Sequence, residues 1–304
     1  MEKYNKKKER NKEVSQYTHK HLREKSQERF CQCGSWIEFF ADENLSKQKV
    51  HQANFCKNRF CPMCAWRTAC KEAMKISVLM EYLEAEIGVA FIFVTLTAPN
   101  VSGKKLGQEI TRYNEAFKRL TKRKAVSDIN LGYVRKLEVT YNAKRNDYHT
   151  HFHCLFVVLK DYFVGRKYMA QARWLELWRD VMGDPSITQV DVRRVKRGGK
   201  DVNELAKYAA KDSHYTHSQA VFDVFYKALK GRQVITFNGV FSDANTKYKS
   251  GALDRYKTTD ETEYIWIVLY RWFGKEYVEE NRRKIDEEEY RQMKKDSVDE
   301  MAIG

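Results

Sequence analysis

The order of the elements predicted after residue 88 indicates an α+β fold built on an antiparallel sheet. Apolar, β-branched runs alternate with amphipathic stretches in the order strand, helix, strand, strand, helix, strand. This is the ferredoxin-like split βαβ order, which places the helices on one face of the sheet. Two further observations complete the prediction: most of the seven cysteines cluster within residues 31–64, and the chain carries a formal net charge of +15.

Each strand and helix at the start of the predicted sheet has a local reason in the sequence. Val89–Thr97 is a β-branched and aromatic run that ends before Pro99, as a buried strand does. Residues 103–124 have the spacing of a helix. Gly132–Tyr141 and His149–Leu159 both alternate like strands, and the polar stretch between them predicts a hairpin.

The elements that follow the hairpin are predicted in the same way. Residues 168–182 form an amphipathic helix with Trp174 and Trp178 on one stripe, and Gly183 begins the segment that ends it. Ile187–Val195 is a further strand, and residues 201–213 are predicted to be a helix.

Composition and pattern divide the chain into four predicted segments. The first is a solvated basic arm with little apolar periodicity, which could be partly helical. The second is a small zinc-binding region with a linking helix at 65–86, the third is the sheet domain, and the fourth is a C-terminal extension ending in a charged helical tail at 279–300. These segments are residues 1–30, 31–87, 88–215 and 216–304.

The net charge and the cysteines also restrict the class of protein. The longest apolar run, Val89–Leu96, is far shorter than the ~20 residues of a membrane span. The charged start predicts no secretory signal, so we expect a cytoplasmic protein whose cysteines are thiols or metal ligands. A strong positive charge makes nucleic acid the leading partner, although a merely basic surface is the alternative.

The cysteine spacing predicts a structural zinc site. Cys56, Cys61 and Cys64 follow the pattern C-x4-C-x2-C, and a cysteine pair lies upstream. Four thiolates suit tetrahedral Zn²⁺ in a closed, structural site. The favoured fourth ligand is Cys33. Cys31 is the competing candidate for that position, and His51 is a weaker candidate. The alternative interpretation is a set of buried thiols that bind no metal.

Alternating histidines predict a second metal site. His149, His151 and His153 share one face of a strand, because side chains alternate along it. Imidazoles with a carboxylate suit Mn²⁺, Mg²⁺ or Zn²⁺. Glu138 on the preceding strand is the candidate carboxylate, provided that the register puts it on the same face. A row of surface histidines is the other interpretation.

A helical segment offers a possible nucleophile. Glu204, Tyr208 and Lys211 lie on about the same face, since they are spaced by four and three residues. A tyrosine can act as a covalent nucleophile, a glutamate as a general base and a lysine as a charge stabiliser. More commonly, a glutamate and a tyrosine at this spacing are simply neighbours on an exposed helix surface.

A basic turn precedes that segment and could bind a DNA backbone phosphate. A solvated charge run is the alternative. Its residues are Arg193, Arg194, Lys196, Arg197 and Lys200.

The motifs together resemble a known family. FVTLTAPN at 93–100, HFH at 151–153, ELAKYAAKD at 204–212 and NFCKNRFCPMC at 54–64 occur in the order found in single-tyrosine rolling-circle plasmid replication initiators, members of the HUH endonuclease superfamily. The resemblance covers about residues 30–215. It implies an HUH-type sheet and site- and strand-specific nicking and joining of DNA.

The resemblance also implies roles for residues and partners. His151 and His153 match the metal-binding pair for Mn²⁺ or Mg²⁺, Tyr208 the nucleophile that stays joined to the 5′ phosphate, and Glu204 the glutamate that activates water. The third metal ligand does not carry over directly; Glu138 is the first choice and His149 the second. The implied partners are a plasmid double-strand origin with an unpaired nick site, a host helicase, a host polymerase, a single-strand-binding protein and a second copy of the chain. For residues 216–304 we expect origin recognition or self-association.

Two other functions fit part of the pattern. His149 to His153 also fits the His-x-His-x-His of a histidine-triad nucleotide hydrolase, for which the cysteine cluster and the charge are superfluous. A zinc-ribbon DNA-binding regulator without catalysis is the non-enzymatic alternative.

Overall fold

The computed structural model describes residues 1–195 and 211–295, which fall into two compact units. One unit contains Met1–Met74 and the segment from Lys257 onward, and the other contains Lys75–Tyr256. Each unit has its own antiparallel sheet with helices, which confirms the predicted α+β class. Among the described residues, no helix is both long and apolar enough to cross a bilayer.

The helices and strands are numbered in chain order. The helices are α1 (Glu2–Thr18), α2 (Glu24–Cys31), α3 (Pro62–Ile87), α4 (Leu106–Lys122), α5 (Lys124–Ser127), α6 (Gln171–Met182), α7 (Asp212–Tyr215), α8 (Gln219–Leu229), α9 (Val240–Lys249) and α10 (Glu287–Lys295). The strands are β1 (Trp36–Ala41), β2 (Gln48–Ala53), β3 (Val89–Thr97), β4 (Gly132–Asn142), β5 (Asp147–Leu159), β6 (Val190–Arg194), β7 (Ile235–Gly239), β8 (Trp266–Trp272) and β9 (Tyr277–Lys284).

The five-stranded sheet of the Lys75–Tyr256 unit has the order β6-β3-β5-β4-β7. All of its neighbouring strands are antiparallel. The predicted hairpin is present as β4 and β5. At the edge, β4 and β7 approach so closely that a Cβ on Gly132 would lie 2.5 Å from the Asn238 carbonyl oxygen, so only glycine fits there.

Helices α4 and α6 cover one face of this sheet with aromatic side chains. Phe117 packs edge-on against Phe152 with ring centroids 5.7 Å apart, and Trp174 packs on Phe156 at 5.3 Å. These side chains are almost completely buried. They form the main core beneath the β3, β4 and β5 strands.

The two helices of the predicted order, α4 and α6, share one face as expected, but helices outside that order cover part of the other face. On the opposite face, residues of α3 and α9 form a second core, in which Leu79 and Phe241 are fully buried together with Phe91 and Phe93 of β3. This core covers only the part of the face that contains the first residues of β3. The part beyond Phe93 carries polar side chains instead and is not covered by this second core.

The first thirty residues differ from the predicted solvated arm. They form α1 and α2, and one stripe of α1 is buried although much of it is polar. Apolar periodicity could not reveal the burial of this helix, because the buried stripe includes a lysine, an asparagine and a threonine. The buried residues of α1 are Tyr4, Lys8, Asn11, Val14 and Thr18.

The sheet of this unit joins residues from both ends of the chain. Its order is β2-β1-β8-β9, with every neighbouring pair antiparallel. The predicted helical tail at 279–300 was therefore partly wrong, because residues up to Lys284 belong to β9 and the helix begins at Glu287. The predicted helix at 201–213 lies largely outside the described residues.

The aromatic core predicts a large effect of one substitution. Phe117 is 1% exposed, so Phe117→Ala leaves a cavity and should lower the free energy of unfolding by about 3–5 kcal/mol. Val164 is 90% exposed, and Val164→Ala should change the free energy of unfolding by less than about 0.5 kcal/mol. Urea denaturation measures both, and equal midpoints for the two variants would contradict the assigned core.

Candidate metal centres

The β4–β5 hairpin brings a carboxylate and two imidazoles together on the open part of the sheet face. Glu138 lies directly opposite His151 in the antiparallel ladder. His153, two residues further along β5, therefore points to the same side. The register has the parity that the sequence left undecided, and all three ligand atoms lie within 4.8 Å of one another.

Both imidazoles contact one oxygen of the carboxylate. The Nε2 atom of His151 lies 3.2 Å from Oε2 of Glu138, and Nε2 of His153 lies 3.1 Å from the same oxygen. Burial alone would raise the pKa of Glu138, but the hydrogen bonds with the two histidines outweigh it and hold that pKa well below its ordinary value. The carboxylate is therefore anionic at neutral pH.

Neighbouring side chains orient the His153 ring. Its Nδ1 atom lies 3.3 Å from the Thr95 hydroxyl, and its ring packs on Phe93 at 5.5 Å. Such a contact at the second ring nitrogen fixes the orientation of a metal-binding imidazole. Thr95 is a site residue that the sequence analysis missed, because only the pairing of β3 with β5 places it opposite His153.

The spacing of these atoms fits a divalent cation. Neighbouring ligands of an octahedral ion, each about 2.1 Å from the metal, lie about 3 Å apart. The two nitrogen–oxygen distances of 3.1 and 3.2 Å match this spacing. The side chains are 8–12% exposed, so the site is sheltered and still reachable.

His149, the second choice for a third ligand, is not in this group of three. Its ring lies 5.2 Å from that of His151 between centroids. Burial, and next the neighbouring His151, lower its pKa, so it is neutral at physiological pH. The structure thus places His149 beside the site, with Glu138 in the position of the third ligand.

The cysteine cluster is in the other unit and contains the four favoured cysteines. The Sγ atom of Cys33 lies 3.5 Å from those of Cys61 and Cys64, and Cys56 lies 3.7 Å from Cys64. Tetrahedral zinc with Zn–S bonds of about 2.3 Å separates its sulfurs by about 3.8 Å. The four thiols therefore have the chemistry and the spacing of a closed zinc site.

Backbone amides point at the sulfurs of this cluster. The N–H groups of Cys56 and Lys57 donate to the sulfurs of Cys33 and Cys64, at 3.3 and 3.2 Å. Contacts with the other three thiols, foremost Cys33, hold the pKa of Cys64 far below its ordinary value. The two N–H donors stabilise negative charge on the sulfurs of Cys33 and Cys64, and the thiolate is the form that binds metals.

The two weaker zinc candidates lie outside the cluster of four. Cys31 is exposed and accepts a long contact from Gln27. His51 packs its ring on Phe40 at 4.5 Å. Neither belongs to the group of ligand atoms around Cys33.

Two residues of α1 approach the cysteine cluster, which the sequence analysis did not foresee. Lys8 and Asn11 are buried, and their side chains contact the backbone and one sulfur of the cluster. Burial lowers the pKa of Lys8, and the cysteines, Cys33 first, act in the opposite direction. No motif signals such residues, because they lie far upstream in the sequence.

The predicted phosphate-binding arginines are on the edge strand β6. Arg193 stacks on Phe93 with 4.7 Å between its Cζ atom and the ring centroid, and Arg194 stacks on Phe163 at 4.5 Å. Both arginines are exposed. Since Phe93 also contacts His153, the sheet places Arg193 one ring away from the histidine site.

The described residues include few of the predicted catalytic residues. Lys211 is exposed and directly precedes α7, next to His214, whose Nδ1 accepts a hydrogen bond from the Tyr141 amide at 3.4 Å. The remaining predicted residues lie outside the described part of the chain: Glu204, Tyr208, Lys196, Arg197 and Lys200.

Comparison with known proteins identifies the family. The profile of a family described as Replication protein matches residues 47–278. Protein rep of Staphylococcus aureus is 48% identical over 217 residues, 71% of this chain and 95% of that protein. Protein rep of Bacillus amyloliquefaciens is 34% identical over 252 residues (75% and 74%), and that of Lentilactobacillus hilgardii 31% over 269 residues (82% and 85%). No solved structure matches the chain.

The chain therefore belongs to the replication protein family. This confirms the resemblance to plasmid replication initiators that its motifs indicated.

The histidine site predicts how one substitution changes metal affinity. Glu138→Gln removes the anionic oxygen that both imidazoles share, so the affinity for Mn²⁺ should fall by at least about tenfold. Isothermal titration calorimetry measures it, with Glu176→Gln as the control, because Glu176 is an exposed carboxylate on α6. Wild-type affinity in Glu138→Gln would remove Glu138 from the ligand set.

The cysteine cluster predicts different effects for two cysteines. Cys64→Ser keeps the size of the side chain but loses a thiolate, so bound zinc should fall well below about one ion per chain. Cys31→Ser changes an exposed position outside the cluster, so this variant should retain its bound zinc. Metal analysis by mass spectrometry measures both variants, and equal zinc content in the two would contradict the assigned ligand set.

Proposed function

We propose that this chain starts rolling-circle replication of a plasmid by nicking, and later rejoining, one strand of the origin. The proposed domain is of the ferredoxin-like HUH type. Its support is the element order β3, α4, β4, β5, α6, β6 together with the strand order β6-β3-β5-β4 within the sheet. This combination supports the split βαβ arrangement expected from the sequence.

One observation carries the proposal. In a chain of the replication protein family, Glu138, His151 and His153 converge within 4.8 Å on a partly open sheet face. Such a donor set holds Mn²⁺ or Mg²⁺ with positions left for a substrate oxygen. Held by Glu138, His151 and His153, such a cation would supply Lewis-acid polarisation of the scissile phosphate.

The proposed cleavage is a phosphoryl transfer to tyrosine. The Tyr208 phenol oxygen attacks the phosphorus, a bond forms between them, and the bond from phosphorus to the 3′ oxygen breaks. The phenol proton is given up and the leaving 3′ oxygen takes up a proton, which yields a free 3′ hydroxyl and a 5′ phosphotyrosine. That hydroxyl primes a host polymerase.

Two further residues complete the proposed chemistry. Glu204 removes a proton from water in the terminating cleavage, so that a second tyrosine is not needed. Lys211 stabilises phosphate or phenolate charge. The exposure of Lys211 is compatible with contact to DNA.

The basic edge of the sheet is the proposed track for DNA. The exposed Arg193, stacked on Phe93, holds its guanidinium group on the histidine face, and the exposed Arg194, stacked on Phe163, follows it on the same edge strand. Contacts of arginine with phosphate position a strand without reading its sequence. The nick site must be unpaired, because the nucleophile cannot reach it within a duplex.

The cysteine cluster has a structural role in this proposal. Zn²⁺ held by four thiolates has no open position for substrate, so it stabilises the fold of its unit. A host helicase and a single-strand-binding protein would act with the initiator, and a second copy of the chain is a proposed partner. The extension after residue 216 would serve origin recognition or self-association.

An adduct assay tests the proposed nucleophile. Wild-type protein incubated with a single-stranded origin oligonucleotide and Mn²⁺ or Mg²⁺ should form a covalent protein–DNA adduct that survives denaturing electrophoresis. Tyr208→Phe should abolish the adduct, since it lacks the attacking oxygen. Tyr168→Phe, a change at an exposed tyrosine, is the matched control and should form it normally.

Two outcomes would count against the proposal. An adduct that persists in Tyr208→Phe would refute the tyrosine assignment. The absence of any adduct with either metal, with binding to duplex origin intact, would favour the non-catalytic zinc-ribbon regulator.

A further inference from the structure

Helix α1 buries two polar side chains one turn apart, against the cysteine cluster. Lys8 is 5% exposed and Asn11 is fully buried. Residues three apart lie on the same face of a helix. A buried ammonium and a buried carboxamide are costly unless they are matched, so their partners indicate why they are there.

The Lys8 ammonium is matched by three acceptors. Its Nζ atom donates to the carbonyl oxygens of Cys33 at 2.8 Å and Cys31 at 2.9 Å, and it lies 3.5 Å from Oδ1 of Asn11. An ammonium has three N–H donors, so these acceptors account for all of them. Lys8 thus clamps the backbone on both sides of Gln32, next to the sulfur ligand Cys33.

Asn11 reaches the cluster itself. Its Nδ2 atom donates to the Phe30 carbonyl oxygen at 3.1 Å and to the Cys61 sulfur at 3.3 Å. An N–H group directed at a sulfur withdraws electron density from a thiolate and stabilises its charge. Asn11 therefore contacts a ligand atom, whereas Lys8 holds the ligand backbone.

We propose that Lys8 and Asn11 form the outer shell of the cysteine metal site, and that α1 docks on this unit only when the metal is bound. The inference rests on the proposed zinc assignment. Four thiolates around one divalent cation carry a formal charge of −2, which is costly in a buried site. The Lys8 ammonium offsets one of these two negative charges, and the Asn11 N–H group delocalises part of the remaining charge on the Cys61 sulfur.

The composition of the buried stripe explains why docking depends on the metal. Apart from Tyr4 and Val14, the buried positions of α1 are polar, so little apolar area holds the helix in place. The partners of Lys8 and Asn11 lie on two segments, the carbonyls around Cys33 and the sulfur of Cys61, which a bound metal would tie together. Without the metal these acceptors lose their fixed positions, the hydrogen bonds that compensate for the two buried polar side chains weaken, and α1 is released.

The experiment compares Lys8→Met, Asn11→Leu and Lys12→Met in the full chain. Zinc release to a chromogenic chelator should be about 10–100-fold faster in the first two variants, the usual effect of losing an outer-shell partner. Lys12 lies on the exposed face of the same helix, so Lys12→Met should release zinc at the wild-type rate. Trypsin should cleave α1 quickly in Lys8→Met, and in the wild type only after chelation.

A second measurement separates contact with the ligands from a general loss of stability. In cobalt-substituted protein, Asn11→Leu should shift the sulfur-to-cobalt charge-transfer band, because the N–H donor to Cys61 is gone. Lys12→Met should leave the band unchanged. If Lys8→Met does not fold, the zinc-release rate and the cobalt spectrum of Asn11→Leu test the proposed outer shell, and wild-type values of both would contradict it.

The possible results separate a failure of the outer-shell role from a failure of the zinc assignment or of the proposed function. Wild-type protein without thiol-bound metal would refute the zinc site and the inference with it. Zinc-loaded Lys8→Met and Asn11→Leu that release zinc at the wild-type rate would overturn the inference alone. The adduct assay with Tyr208 would be unaffected by either result.

Discussion

Strand β5 pairs with both β3 and β4 along nearly its whole length, and its register determines what each face of the sheet does. Its even-numbered residues, among them Phe152 and Phe156, pack into the aromatic core under α4 and α6. Its odd-numbered histidines therefore face the other side. A slip of one residue would place the histidines in the aromatic core and move the rings out of it to the opposite face, so the core enforces the register of the site.

That register also selects the partners of the histidines. Glu138 of β4 meets His151, and Thr95 of β3 meets His153. The second core, under α3 and α9, ends near Phe93, and the site begins where that core ends. Packing thus provides rigid support on one side of the hairpin and leaves room for a substrate on the other.

Local patterns predicted much of this architecture. The strand Val89–Thr97 and the β4–β5 hairpin have strong alternation and clear turn signals, and the structure has them at nearly the predicted bounds. The burial of one face of α1 was missed, because that face is matched largely by hydrogen bonds to the cysteine region rather than by apolar contacts. Strand β9 was missed because its residues are almost all exposed, and the pairing with β8 defines it.

The sequence by itself determined which groups are available: four thiols at metal-ligand spacing, alternating histidines, a basic surface and the family's ordered motifs. Only the tertiary structure decided that Glu138 shares a face with the histidines, that Cys31 lies outside the cluster, and that Lys8 and Asn11 belong beside it. Ligand spacing along a chain is local and can be read directly. The parity of a ladder and the docking of a distant helix depend on non-local packing, which no short stretch of residues encodes.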